Sequence, residues 1–152
     1  MNPKIFVCAL LVFLAIACDK NTFNTKPSLK LISNSSKIIP VNGGLSLQFE
    51  FTDKEGDISD TLFFRRIRTN KRTTTVKPDS LRFAIPKVST LRKGIIEVDL
   101  TYQNYLVAAL QPPLVGSPPK AESDSITLKF ALRDKAKNIS DTITIENIVV
   151  IR

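Results

Sequence analysis

The stretch Leu45-Ser46-Leu47-Gln48-Phe49-Glu50-Phe51-Thr52 decides the fold, because apolar and polar side chains alternate strictly along it. Successive side chains of a β-strand point to opposite faces of the sheet, so this period indicates a strand with one buried and one wet face. The same alternation returns over residues 126–133. We therefore expect two long antiparallel strands that share one core, centred on Phe49, Phe51, Leu128 and Phe130.

Shorter runs of the same period predict further strands around these two. They lie at 81–85, 96–102 and 143–150, with a split first strand at 29–32 and 38–39. Over 143–150 the apolar positions shift phase by one residue, which a β-bulge near Asn147 would explain. No long window after Cys18 has a helical period. About seven or eight short strands in one chain predict an all-β fold, an immunoglobulin-like antiparallel β-sandwich.

One long segment, residues 103–124, does not follow a strand pattern. It contains four prolines and the apolar run from Leu106 to Leu110. Long connections without secondary structure are uncommon in compact domains. We expect the apolar run to cover the core and the prolines to stiffen a crossing over the surface.

The first eighteen residues have the pattern of a bacterial lipoprotein signal. Lys4 precedes an apolar run from Ile5 to Ala17, and Cys18 follows small residues. This run is shorter than the roughly 20 residues of a membrane-spanning helix. A transmembrane anchor and an ordinary cleaved secretion signal are the alternatives. We predict a signal over 1–17, lipidation at Cys18, a tether over 18–27 and a folded domain over 28–152, anchored in the bacterial cell envelope at the outer membrane.

Composition excludes the commonest catalytic arrangements. The chain has no histidine, and therefore no imidazole base, no Ser-His or Cys-His pair and no histidine-ligated metal. Cys8 lies within the predicted signal, which leaves Cys18 as the only cysteine of the mature chain and excludes an internal disulfide. These absences favour a binding or structural module over an enzyme.

Two polar loops contain the candidate metal ligands. Their carboxylates are Asp53, Glu55, Asp57 and Asp60 after the first long strand and Asp134 after the second. If these strands are B and F of the sandwich, both loops lie at the same end. The carboxylates could then bind a hard cation such as calcium, which takes six to eight oxygen ligands. The alternative is that they form Asx-turns around Gly56, and no other cofactor is expected.

Basic residues concentrate between Arg65 and Lys93, where ten lysines and arginines accompany one acidic residue, Asp79. We predict a cationic surface, with candidates Arg65, Arg66, Arg68, Lys71 and Arg72. Positive potential attracts polyanions, so the expected partners are anionic lipid headgroups, an anionic glycan or an envelope protein. Nucleic acid is not expected as a partner, because Phe83 is the only aromatic residue interleaved with the basic residues of this run. A solvated strand face is the alternative.

The segments 47–58, 93–96 and 126–140 together resemble a known family. They look like the uncharacterised immunoglobulin-like surface lipoproteins of Bacteroidota-type bacteria, over residues 28–152. In that family the first loop reads F-x-D-x-x-G-D-I and the last hairpin R-D-x-A-G-N-x-S, and this chain has Lys137 where the glycine usually falls. The resemblance implies the fold and the outer-envelope location, and it implies no activity.

The same resemblance implies candidate O-glycosylation sites. An aspartate followed by serine or threonine and an apolar residue is the acceptor pattern in such bacteria, and it occurs at Thr61, Ser80, Ser125 and Thr142. Each position also lies where a strand is expected to begin, and turn chemistry at strand ends explains the same pattern.

Two classes of function follow. The first is a membrane-anchored accessory module that binds a glycan, an envelope polymer or a protein partner through its loop ends or an exposed sheet edge. The second is a metal-assisted hydrolase, since paired carboxylates can perform acid–base chemistry. Its candidate residues are Asp53, Glu55, Asp57 and Asp134. A small sandwich without tryptophan favours the binding module.

Overall fold

The computed structural model describes residues 25–58, 60–86 and 91–152. The predicted signal, Cys18 and most of the tether lie outside the described residues. The described strands are β1 Ser28–Asn34, β2 Ile38–Ile39, β3 Gly44–Thr52, β4 Thr61–Arg68, β5 Ser80–Ala84, β6 Lys93–Thr101, β7 Leu114–Val115, β8 Lys120–Ala121, β9 Asp124–Arg133 and β10 Ile143–Val150. One π-helical turn covers Tyr102–Leu106. Within these ranges, no helix has the length and apolarity that crossing a bilayer requires.

The strands form two main sheets that pack as a sandwich. The three-stranded sheet has the order β1-β3-β6, and the five-stranded sheet has the order β2-β10-β9-β4-β5. All pairs are antiparallel except β2 with β10. The first strand is split between the sheets, and β3 and β9 occupy the positions of strands B and F. The fold is therefore the predicted immunoglobulin-like β-sandwich.

The core lies between the two sheets, as the alternation predicts. The inward residues of β3 and β9 are buried, and the rings of Phe49 and Phe130 lie 4.8 Å apart. The phase shift in β10 is a bulge, because the pairing register slips between Ile145 and Ile148. Asn147 has φ 61° at this point, a left-handed conformation that asparagine tolerates better than most residues. The predicted bulge is confirmed.

The segment 103–124 contains more structure than the sequence suggested. After the π-helical turn, residues 106–109 are buried over the core, as expected, whereas Leu110 is exposed. The expected crossing contains a small hairpin that the sequence did not predict, in which Leu114–Val115 pairs with Lys120–Ala121. The prolines lie outside these two strands, and the apolar run covers the core as expected up to Ala109.

The alternating pattern in the sequence did not predict the bounds of strand β4. Leu62 and Phe64 face the core, Phe63 faces outwards, and Arg66 occupies the next inward position. The Arg66 side chain is buried because its guanidinium donates to two backbone carbonyls, those of Tyr105 at 2.7 Å and Pro78 at 3.0 Å. An outward phenylalanine and an inward arginine hide the period of two in this strand.

Candidate functional site

The two polar loops meet at one end of the sandwich, where β3 and β9 both end. The backbone N–H of Lys135 donates to the carbonyl of Asp57 at 3.1 Å and joins the loops directly. Gly56 and Lys137 turn the two loops with φ values of 72° and 74°. Lys137 therefore adopts the left-handed conformation for which glycine is better suited.

Three carboxylates converge at this junction. Asp53, Asp57 and Asp134 each offer an oxygen, and these oxygens lie within 4.8 Å of one another. We call this group the carboxylate trio. Asp53 is 3% exposed, Asp134 is 1% exposed and Asp57 is partly buried. Such a group of oxygen donors has the composition of a site for a hard cation.

Backbone and side-chain amides satisfy only part of the carboxylate trio. The backbone N–H of Asp57 donates to Asp53 Oδ2 at 2.8 Å. Asn138 donates to Asp134 twice, from its backbone N–H and from its side-chain amide, each at 2.8 Å. Asp53 Oδ1 and Asp57 Oδ1 are buried and have no hydrogen-bond partner within residues 25–58, 60–86 and 91–152. The turn hydrogen bonds expected of Asx residues are thus present, and two oxygens remain unused.

Electrostatics within the carboxylate trio disfavour the charged form of Asp57. Burial is the largest cause that raises the pKa of Asp57 above its ordinary value. The negative charges of Asp134 and Asp53 raise this pKa further. Like charges held close together in a partly dry site repel one another strongly.

The other two predicted ligands lie outside the carboxylate trio. Glu55 is exposed. The Asp60 carboxylate accepts hydrogen bonds from Arg133 Nε at 2.6 Å and Lys137 Nζ at 3.1 Å. The bond from Arg133 is the main reason that the pKa of Asp60 falls to about 2. Three of the five predicted carboxylates are therefore brought together, and Asp60 is neutralised by neighbouring cations.

The predicted cationic surface is divided between the core and the exterior. Arg66 is 3% exposed, and burial lowers the pKa of its guanidinium. The buried Arg68 side chain forms ion pairs with Glu122 at 2.7 Å and Asp124 at 2.9 Å. The prediction is wrong for these two arginines, because their guanidiniums are enclosed by protein.

The remaining three predicted cations are exposed at different places. Arg72 pairs with Glu122 at 3.0 Å, and Lys71 immediately precedes it in the same loop. Arg65 pairs with Asp79 at 2.8 Å on the outer face of β4. The five predicted residues therefore do not form one surface.

A cationic groove that the sequence did not indicate lies on the outer face of the five-stranded sheet. Its volume is about 480 Å³, and its lining includes Phe63, Arg65, Ser80, Arg82, Lys129 and Thr142. We call it the outer-face groove. The strand register creates it, because Phe63 lies opposite Arg82 and Ala131, while Arg65 lies opposite Ser80 and Lys129.

Positive charge surrounds the aromatic floor of the outer-face groove. The guanidinium carbons of Arg82 and Arg133 lie 5.7 Å and 5.2 Å from the centre of the Phe63 ring, within cation–π range. Among the described residues, Arg82 and Lys129 form no ion pair, whereas Arg65 and Arg133 pair with Asp79 and Asp60. Arg65 and Arg82 belonged to the basic run in the sequence, and pairing of β4 with β9 was needed to place Lys129 and Arg133 beside them.

The four candidate glycosylation residues differ in exposure. Thr61 is buried, and its hydroxyl donates to Asp60 and accepts from Arg133. Ser125 is partly buried, while Ser80 and Thr142 are exposed at the outer-face groove. Only the last two have an accessible hydroxyl-bearing side chain beside a candidate binding surface.

Comparisons of the chain with protein-family models, with curated proteins and with solved structures find no match. Function is therefore argued from the fold and from the two sites described above.

Proposed function

We propose that this protein is a lipid-anchored binding module of the bacterial cell envelope that recognises an anionic glycan in the outer-face groove. The observation that carries the proposal is the half-buried, outward-facing Phe63 ring in a groove with four cations: Arg65, Arg82, Lys129 and Arg133. An aromatic face and converging positive charges are complementary to an acidic sugar.

Each part of the groove has a chemical counterpart in such a ligand. Arginine binds carboxylate or sulfate groups through two parallel hydrogen bonds, and lysine adds a flexible point charge. The apolar face of a sugar ring can pack on Phe63. A groove of about 480 Å³ is also within the usual size range of ligand sites, about 300–1,000 Å³.

The same groove gives less support to hydrolysis. Its neighbouring carboxylates, Asp60 and Asp79, are held in ion pairs with Arg133 and Arg65. The carboxylate trio lies at the end of the sandwich, where Asp53 and Asp134 are almost completely buried. The first pair of acids is neutralised by its cations and the second pair is enclosed by protein, which favours the binding module over the metal-assisted hydrolase.

The lipid anchor rests on the sequence pattern that ends at Cys18. The first strand begins at Ser28, and the ten-residue tether 18–27 spans at most about 35 Å, which would keep the domain close to the membrane. Cys18→Ser is expected to release the protein from the membrane fraction or to halt signal cleavage. Normal cleavage with unchanged membrane partitioning of this variant would contradict lipidation.

The glycan proposal is tested by binding of the purified full-length protein in detergent to polygalacturonate, with neutral dextran as the reference polymer. Arg82→Gln combined with Lys129→Gln is expected to weaken binding about tenfold or more, because charge-assisted hydrogen bonds are lost. Phe63→Ala is expected to weaken it as well.

The matched control is Lys30→Gln combined with Lys37→Gln, which removes the same charge from two exposed lysines outside the groove. We expect this control to change the affinity less than about twofold. Equal losses for the two double variants would show that binding depends on net charge alone, and retention on dextran equal to that on polygalacturonate would contradict an acidic ligand.

A further inference from the structure

The carboxylate trio is the place where this protein leaves buried polar atoms unsatisfied. Within the described residues, two buried side-chain nitrogen or oxygen atoms lack a hydrogen-bond partner, and both belong to it: Asp53 Oδ1 and Asp57 Oδ1. Buried polar atoms in folded proteins are nearly always paired, so each exception requires an explanation. Here both exceptions occur in one cluster of acids.

The available donors are already used by other oxygens of the same cluster. The backbone N–H of Asp57 reaches Asp53 Oδ2, and both Asn138 donors reach Asp134. The second oxygen of the almost completely buried Asp53 therefore lies among acidic neighbours without a donor. A metal cation that accepts several oxygen ligands would satisfy these oxygens and would offset the repulsion between the carboxylates.

We propose that Asp53, Asp57 and Asp134 bind a calcium ion that joins the 53–60 loop to the loop that begins at Asp134. All the converging donors are oxygens, which favours a hard cation over zinc or copper. Calcium accepts carboxylates and backbone carbonyls in flexible arrangements, whereas magnesium demands near-octahedral geometry and keeps several waters. Two irregular loops at a strand end are better suited to the flexible arrangement.

The site lies where the chain enters the domain, which gives the ion a structural consequence. The Asn138 side chain donates to Asp134 and also to the carbonyl of Thr25 at 3.3 Å. Lys26 pairs with Asp141 in the same loop. Calcium that orders Asp134 and Asn138 would therefore also fix the first described residues, and with them the orientation of the sandwich relative to its predicted anchor.

One rival explanation is a proton shared between Asp53 and Asp57. A shared proton would relieve the repulsion between the two carboxylates and would satisfy one of the orphaned oxygens. It predicts stabilisation by mild acid and no response to calcium at neutral pH. The two explanations are thus separable by one set of measurements.

The test is calorimetric titration of the purified full-length protein with calcium chloride at neutral pH, together with thermal unfolding in calcium, in magnesium and in chelator. We expect a dissociation constant of about 10⁻⁴–10⁻³ M, the range of extracellular modules. At a tenfold excess over this constant, calcium should raise the melting temperature by about 5 °C, and magnesium should raise it less.

Asp53→Asn combined with Asp57→Asn is expected to abolish both the binding heat and the calcium-induced shift, while the variant still unfolds cooperatively in chelator. The matched control is Glu55→Gln, which removes a negative charge from the exposed part of the same loop. We expect this control to keep the shift and to lower the affinity less than about threefold.

Identical melting of the unmutated protein in calcium and in chelator would overturn the proposal. A shift that survives in the double variant would place the ion elsewhere and overturn it too. A shift in magnesium as large as that in calcium would overturn the choice of metal.

Discussion

The two ends of β9 bury aspartates in opposite ways. At its start, Asp124 is 0% exposed and accepts four hydrogen bonds. They come from Arg68 Nε at 2.9 Å, the backbone N–H groups of Ala108 and Ala109 at 3.0 and 3.1 Å, and Arg152 Nη1 at 3.3 Å. Beyond its end, Asp134 belongs to the carboxylate trio, in which two oxygens have no hydrogen-bond partner in the part of the chain that the structure describes.

The difference shows what a buried carboxylate needs. A charge removed from water is tolerated when cations and hydrogen-bond donors replace the solvent, and it is costly otherwise. Around Asp124 the chain supplies these groups itself, from β4, from the connection over the core and from its last residue. The described hydrogen bonds to the carboxylate trio come from amides and leave two oxygens unsatisfied among the described residues, which is why we infer that a metal ion completes that end.

The largest effect on stability is expected at the start of β9, where the buried Asp124 accepts four hydrogen bonds. Asp124→Ala should lower the free energy of unfolding by about 3–5 kcal/mol, because it removes one of the two carboxylates that pair with the buried Arg68 and leaves two amides without an acceptor. Urea unfolding measures this change. A loss below about 1 kcal/mol would mean that Asp124 behaves like an exposed ion pair and would remove the contrast between the two ends.

An effect of similar size is expected midway along the strand, where only packing is involved. Phe130→Ala should lower the free energy of unfolding by about 3–5 kcal/mol, because it opens a cavity against Phe49 and Phe64. Urea unfolding with and without calcium should give the same loss in both conditions. A loss that depends on calcium would indicate that the core and the loop end are coupled.

A smaller change in stability, of opposite sign, is expected at the carboxylate trio beyond the end of β9. In calcium-free buffer, Asp53→Asn should raise the free energy of unfolding by about 1 kcal/mol, because the new side-chain amide can donate to the neighbouring Asp57 carboxylate. In saturating calcium the same substitution should be destabilising. The same sign of change in both conditions would contradict the proposed role of the ion.

The pH dependence of stability should also show the effect of the carboxylate trio, through Asp57. The pKa of Asp57 is raised in the folded state, so the folded protein binds its proton more tightly than the unfolded chain. In calcium-free buffer, stability should therefore rise as the pH falls from neutral through this raised pKa. Asp57→Asn should remove that rise, whereas a rise that persists in this variant would assign it to another group.

Asp60 should contribute with the opposite sign and at lower pH. Its pKa is lowered to about 2, so its contribution is complete above the unfolded value and is lost as the pH falls through about 2. Thermal unfolding of Asp60→Asn should therefore show a shallower loss of stability in strong acid. An unchanged acid limb would mean that the bond from Arg133 adds nothing to stability.

The sequence predicted those features that depend on local period and on strand topology. Alternation in 45–52 and 126–133 predicted both central strands, and their placement as strands B and F predicted that Asp53, Asp57 and Asp134 would meet. The phase shift at Asn147 predicted the bulge. These features follow from which face of a strand is apolar, and one sequence contains that information.

The remaining features depend on pairing between distant residues. Arg66 was expected at a surface because arginine is rarely buried, but two backbone carbonyls satisfy it inside the sandwich. Asp60 does not belong to the carboxylate trio, because β9 places Arg133 beside its carboxylate. The outer-face groove exists only because Phe63 lies between Arg82 and Ala131 in the sheet. No local pattern specifies such neighbours.

The contrast between the ends of β9 is tested most directly by amide hydrogen exchange, measured residue by residue in calcium and in chelator. We predict that calcium slows exchange at the amides of Asp57 and Asn138, which hold the carboxylate trio, and leaves those of Ala108 and Ala109, which hold Asp124, equally protected in both conditions. Unchanged exchange at all four amides, or equal slowing at both ends, would contradict the account.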